Sequence, residues 1–171
     1  DIDMEITHIV RGEDHVTNTG AQVQVFRALG AEPPRFGHHS LLLNEEGQPL
    51  SKRLRGEYSI EALREAGFEP MAVTSFLAKL GTSDAAVARS GLQLLADEFE
   101  PGEVGRSGHR FDMKELERVN AALMHMTPFE EVSERLAKRG IDGGAEFWDA
   151  VRPNLTLFDG VAEWWHVAHG P

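Results

Sequence analysis

The residues with most chemistry to offer lie in two short runs. Leu50-Ser51-Lys52-Arg53, with Arg55 two residues on, puts three positive charges and no negative one into residues 50–56 of a chain whose formal net charge is −11. A lysine on its long stem, carried by a loop at the C-terminal edge of a parallel sheet, can reach a triphosphate and stabilise the charge that develops as pyrophosphate leaves. Arg11-Gly12-Glu13-Asp14 is the second run. The planar fork of arginine suits a bidentate grip on a carboxylate, so Arg11 could hold an acidic substrate, while Glu13 and Asp14 could accept hydrogen bonds from an amine or a ribose. Each run has a plainer alternative: a solvated basic loop for the first, a structural ion pair for Arg11.

Two other groups carry less. His8, His15, His38 and His39 show no His-x-x-x-His or mixed acidic spacing of the kind metals need. Adjacent His38 and His39 in a strand point to opposite faces and cannot ligate together, although His39 could sit near a phosphate. No metal site is expected. Trp164-Trp165 could stack on bases, but an aromatic pair in an amphipathic helix is more often core.

The elements that must position the two runs follow from periodicity. Residues 6–10 are β-branched and loosely alternating, as in a short strand. After the polar stretch 11–15, Thr17, Asn18 and Thr19 are able N-caps, and Ala21, Val25 and Leu29 recur every four residues beside Phe26, giving an amphipathic helix stopped by Gly30. Pro33-Pro34 breaks the chain and residues 36–43 read as a second strand. Strand, helix, strand with short joins predicts a βαβ unit with two parallel strands. Asn44-Glu45-Glu46-Gly47 is a turn, and beyond it the pattern becomes helical.

Ser59 is placed to cap a helix ending near Gly67. Pro70 suits a first helical position, with Val73, Phe76, Leu77 and Leu80 as one apolar face; Leu92, Leu95, Ala96 and Phe99 repeat that spacing. The glycine-rich residues 101–108 read as a mobile surface loop. Asp112 with Glu115, and Thr127 with Glu130, have capping-box spacing, with Pro128 as a first helical residue. Further helices are predicted around 145–152 and 160–168, separated by Pro153. The fold class is therefore α/β turning mostly α.

Composition bounds the function. With 171 residues, 41% hydrophobic and 26% charged, the chain can build a core. Seventeen basic against twenty-eight acidic residues argue against broad nucleic-acid binding but leave room for a narrow basic strip. The absence of cysteine removes disulfides, thiolate metal sites and cysteine nucleophiles. No apolar run approaches the ~20 residues that span a bilayer, so no membrane association and a cytoplasmic location are expected.

Taken in order along the chain, these segments resemble the glutamyl branch of the class I aminoacyl-tRNA synthetases. The resemblance rests on Ile6-Thr7-His8-Ile9-Val10-Arg11-Gly12-Glu13-Asp14, on the run from Ala28 to His38, on Leu41-Leu42-Leu43-Asn44, and on Leu50-Ser51-Lys52-Arg53 at the family's second ATP motif. Phe68-Glu69-Pro70-Met71-Ala72, Phe76-Leu77-Ala78-Lys79-Leu80-Gly81, Phe111-Asp112-Met113-Lys114-Glu115-Leu116 and Arg152-Pro153-Asn154-Leu155 continue it. It implies the C-terminal part of a Rossmann-like catalytic domain over 1–45, an ATP loop and helical tRNA stem-contact region over 46–126, and the start of a helical anticodon-binding region over 127–171.

By this resemblance Arg11 holds the glutamate carboxylate, Asp14 lies near ATP, and Leu42 lends its backbone to the adenine. Ser51, Lys52 and Arg53 form the loop over the triphosphate, with Lys52 as the catalytic lysine. The substrates implied are glutamate, ATP with its Mg²⁺, and tRNA(Glu), the tRNA passing near Arg55 and Lys79. The sequence departs from the family's pattern at Pro49, often a lysine, and at His15, commonly a tryptophan. The family's first ATP motif, His-x-Gly-His, occurs nowhere in the chain. The chain is thus expected to be an internal piece of a monomeric enzyme, poor at ATP binding and inactive by itself, with an exposed sheet edge that could self-associate. The rivals are a glutaminyl relative, a paralogue that glutamylates a modified tRNA base (glutamyl-queuosine type), a tRNA-independent nucleotidyltransferase, and a non-catalytic tRNA-gripping module.

Overall fold

The computed structural model describes residues 1–50, 56, 58–105 and 108–170. Strand β1 (His8–Gly12), a 3-10 turn (Glu13–His15), helix α1 (Val16–Ala28) and strand β2 (Arg35–His39) form the expected βαβ unit. The two strands run parallel, His8 opposite Arg35 and Gly12 opposite His39. The first strand starts two residues later than its sequence pattern suggests. Glu5 and Ile6 donate their N–H groups back to Ile2 and Asp1 (3.0 and 3.1 Å), so the lead-in coils on itself, and cross-strand bonding begins only where Arg35 N–H meets the Thr7 carbonyl.

His15 takes the N-cap position of α1, which places Thr17, Asn18 and Thr19 inside the first turn rather than at the cap. The helix closes at Leu29, with Gly30 at φ 75°. Residues two apart share a strand face, so Ile9 and Arg11 lie with Phe36 and His38, and α1 crosses that face, Thr19 touching both Arg11 and His38. The apolar stripe of α1 is not packed away: Val25 is 56% and Leu29 68% exposed, and no residue of α1 is buried. Periodicity shows which side of a helix favours burial; it does not supply the element that covers it.

The predicted strand over 36–43 is broken in two. β2 ends at His39, and Leu42–Leu43 (β3) leaves the first sheet to pair in parallel with β4 (His109–Arg110). In the glycine-rich segment expected to be a loop, Pro101–Glu103 forms a 3-10 turn, and Gly105 donates to the Gly81 carbonyl at 2.8 Å. The Asn44–Gly47 turn closes a hairpin. Asn44 N–H bonds the Gln48 carbonyl, Asn44 Oδ1 accepts from Gln48 N–H, Pro49 bridges Leu43, and Leu50 N–H reaches the Leu42 carbonyl at 2.9 Å.

Helix α2 (Ile60–Glu65) is capped as expected by Ser59, whose Oγ accepts from Ala62 N–H. α3 (Pro70–Lys79) begins with its proline. It buries Ala72, Ser75 and Phe76, while Leu77, expected to face inward, is 37% exposed. α4 (Leu92–Asp97) buries Leu95 alone, and Leu92 and Phe99 stay exposed. α5 (Met113–Met126) is capped by Asp112, whose Oδ1 accepts from the N–H groups of Lys114 and Glu115.

The second capping box does not form. Thr127 ends α5, its hydroxyl donating to the Leu123 carbonyl, and Pro128 holds the cap position of α6 (Phe129–Ala137). α7 (Gly144–Val151) and α8 (Val161–His169) follow, with a 3-10 turn (Arg152–Asn154) containing Pro153 between them. One apolar cluster centres on Phe76, Phe111, Leu116 and Val119, the other on Leu136, Trp148, Phe158 and Val161. Trp165 packs edge-on against Phe147, and Trp164 is 38% exposed. The fully buried tryptophan is Trp148, its indole N–H donating to the Thr127 carbonyl. Among the described residues no helix is long and apolar enough to cross a membrane.

Asn120 stitches the two clusters together. It is fully buried in α5, its Oδ1 accepts from Glu69 N–H at 2.8 Å, and its amide donates to the Thr156 carbonyl. Arg135 adds a second tie, pairing with Glu69 at 2.8 Å while its guanidinium lies 3.8 Å from the centre of the Phe158 ring.

Candidate active site

The carboxyl ends of β1 and β2 carry the candidate site. Arg11 is half-buried and stands opposite His38 across the parallel pair. Its Nη2 donates to Thr19 Oγ1 at 2.7 Å, and its guanidinium lies 5.3 Å from the centre of the Phe36 ring. No carboxylate pairs with Arg11 among the described residues, so the structural ion pair is not what holds it. Its Nε is buried and has no hydrogen-bond partner among those residues. A buried donor left unpaired costs about 1–3 kcal/mol, and a carboxylate is the ligand that a guanidinium satisfies best.

Glu13 and Asp14 follow on the 3-10 turn, both exposed. Glu13 Oε1 accepts from Leu41 N–H at 3.4 Å, tying the end of β1 to the chain just after β2. Asp14 leans back over Gly12: a Cβ at Gly12 would run into the Asp14 carboxylate and come within 3.3 Å of a Leu41 methyl. The φ at Gly12 is an ordinary −63°, so a side chain there would displace the exposed Asp14 carboxylate and press lightly on Leu41 rather than strain the backbone. His15 sits 3.8 Å from Asp14, with both side chains half exposed.

The hairpin decides where the basic loop starts. Because Leu50 pairs back to Leu42, Leu50 itself lies level with the start of β3, near the carboxyl ends of β1 and β2 rather than beyond the tip of the Asn44–Gly47 turn. Ser51, Lys52, Arg53 and Arg55 themselves lie outside the described residues. Leu42 is half-buried and its carbonyl is engaged by Leu50. Pro49, where the family often has a lysine, has a structural place as the bridge partner of Leu43. Lys79 is far from an open cation: it pairs with Asp84 at 3.2 Å and its side chain is 17% exposed.

His39 turns away to the other strand face, Nδ1 lying 2.9 Å from the Ser40 carbonyl. The residues that sequence reasoning passed over are Thr19 and His38, whose side chains meet at 2.9 Å beside Arg11. The signal was present: in a parallel βαβ unit, the register brings one strand-two residue opposite Arg11, and the crossover helix covers one face. Among the described residues no group of three or more His, Asp or Glu side chains is placed to hold a metal ion.

Comparison with known proteins bears on this geometry. The family model described as tRNA synthetases class I (E and Q), catalytic domain, matches residues 1–118. The chain is 51% identical over all of its length to a protein of Parvibaculum lavamentivorans named Glutamate--tRNA ligase 1, spanning 38% of that protein. It is 49% identical over 99% of its length to Glutamate--tRNA ligase 1 of Brucella canis, spanning 37% of it. The chain thus spans under two fifths of the curated relatives it matches. A crystal structure of a glutamate tRNA ligase from Elizabethkingia meningosepticum, in complex with its amino acid, superposes with a TM-score of 0.76 at 24% identity. It covers 95% of this chain and 38% of that one, a likeness of fold.

Proposed function

Because the chain belongs to the class I tRNA synthetases (E and Q), catalytic-domain family, we propose that it serves ATP-dependent attachment of glutamate to tRNA(Glu). The glutamate α-carboxylate attacks the α-phosphorus of ATP, pyrophosphate leaves, and a hydroxyl of the tRNA terminus then takes the acyl group with release of AMP. Arg11 holds the side-chain carboxylate of glutamate. Asp14 lies toward ATP, and Leu42, its carbonyl already engaged by Leu50, offers its N–H to the adenine. Ser51 and Arg53 bind the triphosphate with its Mg²⁺. Lys52 stabilises the charge that accumulates as the bond to pyrophosphate breaks. The chain contributes these groups as part of a monomeric cytoplasmic enzyme, and the open edges of the β1–β2 pair are where isolated copies of the chain could associate.

The observation that carries this reading is Arg11. A half-buried guanidinium with no carboxylate partner and an unpaired Nε among the described residues sits at the carboxyl edge of a parallel strand pair, which is where open α/β sheets receive ligands. The names of the relatives favour glutamate transfer to tRNA over the glutamyl-queuosine-type paralogue and the tRNA-independent nucleotidyltransferase. The tRNA stem passes near Arg55 and Lys79, a narrow path on an acidic body. Titration of the chain with L-glutamate, followed by NMR, tests the reading. Glutamate should shift the Arg11 resonances and those of Gly12 and His38, and glutamine should do so at least about tenfold more weakly, because it offers no charge to pair. Equal response to both amino acids contradicts it.

A further inference from the structure

We infer that Thr19 is the residue that positions Arg11, acting as a three-way hydroxyl between β1, β2 and α1; the inference rests on the reading of Arg11 as the carboxylate-holding group. A threonine hydroxyl has one proton and two lone pairs. Thr19 Oγ1 donates to the His15 carbonyl at 3.1 Å, the backbone acceptor four residues earlier in the chain. Arg11 Nη2 donates into a lone pair at 2.7 Å. The His38 Nε2 contact at 2.9 Å is the third, the tautomer of His38 setting which of the two donates.

The arrangement fixes an orientation. Thr19 takes one end of the guanidinium, and the Phe36 ring lies 5.3 Å from Cζ. Nε is then the buried donor without a partner among the described residues. A free arginine side chain samples many rotamers, so holding the fork in place before the ligand arrives removes an ordering cost that binding would otherwise meet. His38 sits directly opposite Arg11 in the strand register, and its contact ties β2 to the same hydroxyl that Arg11 uses.

The test uses the chain labelled with ¹⁵N-arginine, with Arg11→Gln identifying the Arg11 signal. Two quantities are read in the wild type and in Thr19→Val and Thr19→Ser: exchange of the Arg11 Nε proton with water, and the L-glutamate dissociation constant. Thr19→Val should speed the exchange and weaken glutamate binding, each by about tenfold, the effect of losing one hydrogen bond to a charged group. Thr19→Ser, which restores the hydroxyl, should recover both. Thr19→Ala is the second variant should valine disturb α1, since alanine favours helix. Wild-type exchange and affinity in the valine and alanine variants overturn the inference. Faster Arg11 exchange in a chain whose arginine resonances never respond to glutamate upholds the positioning role and removes the glutamate-binding reading instead.

Discussion

Leu50 donates its backbone N–H to the Leu42 carbonyl at 2.9 Å, and that bond returns the chain to the carboxyl edge of the β1–β2 pair just before residue 51. Without the hairpin, a lysine eight residues beyond Asn44 could lie well away from Arg11. With it, Leu50 is hydrogen-bonded to Leu42, the residue after Leu41, whose N–H meets Glu13. Leu50, which leads into the basic run, is thus held near the edge of the sheet that carries Arg11.

The Arg11 fork can be separated from its charge. Arg11→Lys keeps the positive charge and loses the planar pair of donors. We expect glutamate affinity to fall by about 10- to 100-fold, corresponding to about 1.5–3 kcal/mol for hydrogen bonds to a charged group. Calorimetric titration reads it; an unchanged dissociation constant would mean that Arg11 acts only as a point charge.

Asn120 should be among the costliest polar residues to remove. Asn120→Ala leaves the Glu69 N–H and the Thr156 carbonyl without their partner, and each buried orphan costs about 1–3 kcal/mol. A loss near 3 kcal/mol in urea unfolding is expected. A loss below about 0.5 kcal/mol, the range of surface substitutions, contradicts the view that Asn120 ties the two apolar clusters.

Two glycines should respond oppositely to alanine. Gly81 has φ 97°, and a Cβ there would come within 2.7 Å of the His109 ring, so Gly81→Ala combines backbone strain with a clash and should cost about 1–3 kcal/mol. Gly20 lies inside α1 with nothing within 4 Å of the added methyl, and Gly20→Ala should stabilise by about 0.5–1 kcal/mol. Thermal melts of the two variants shifting in the same direction would refute this.

For tRNA binding, the two basic candidates should not be equal. Lys79 is paired with Asp84 and mostly enclosed, so Lys79→Ala should change affinity little. Arg55→Glu should weaken it several-fold, with a shallower salt dependence, as loss of a phosphate contact does. Filter binding of tRNA(Glu) at two salt concentrations distinguishes them, and a chain indifferent to Arg55→Glu would exclude that path.

Much of this was legible in the sequence because local signals were strong. The βαβ unit followed from a β-branched run, a four-residue stripe and Pro33-Pro34; Ser59, Pro70 and Asp112 marked three helix starts that the structure shows where expected. What was missed depends on partners distant in the chain. β3 and β4 are two residues each, too short to show periodicity, and their pairing joins residues 67 apart. Thr127 and Glu130 had the right spacing for a capping box, but ending α5 claimed the Thr127 hydroxyl first. Thr19 looked like a cap; its importance appears only when the register sets His38 across from Arg11.

The central claim is that Arg11 and the Lys52 loop share one end of the sheet. The chain has no cysteine, so Lys52→Cys accepts a single nitroxide, and its relaxation enhancement of β1 and β2 amides reports proximity. The strands span roughly 13 Å at about 3.3 Å per residue, enough for a steep gradient. The account predicts broadening that rises from His8 to Gly12 and from Arg35 to His39. A gradient running the other way, or none, would contradict it.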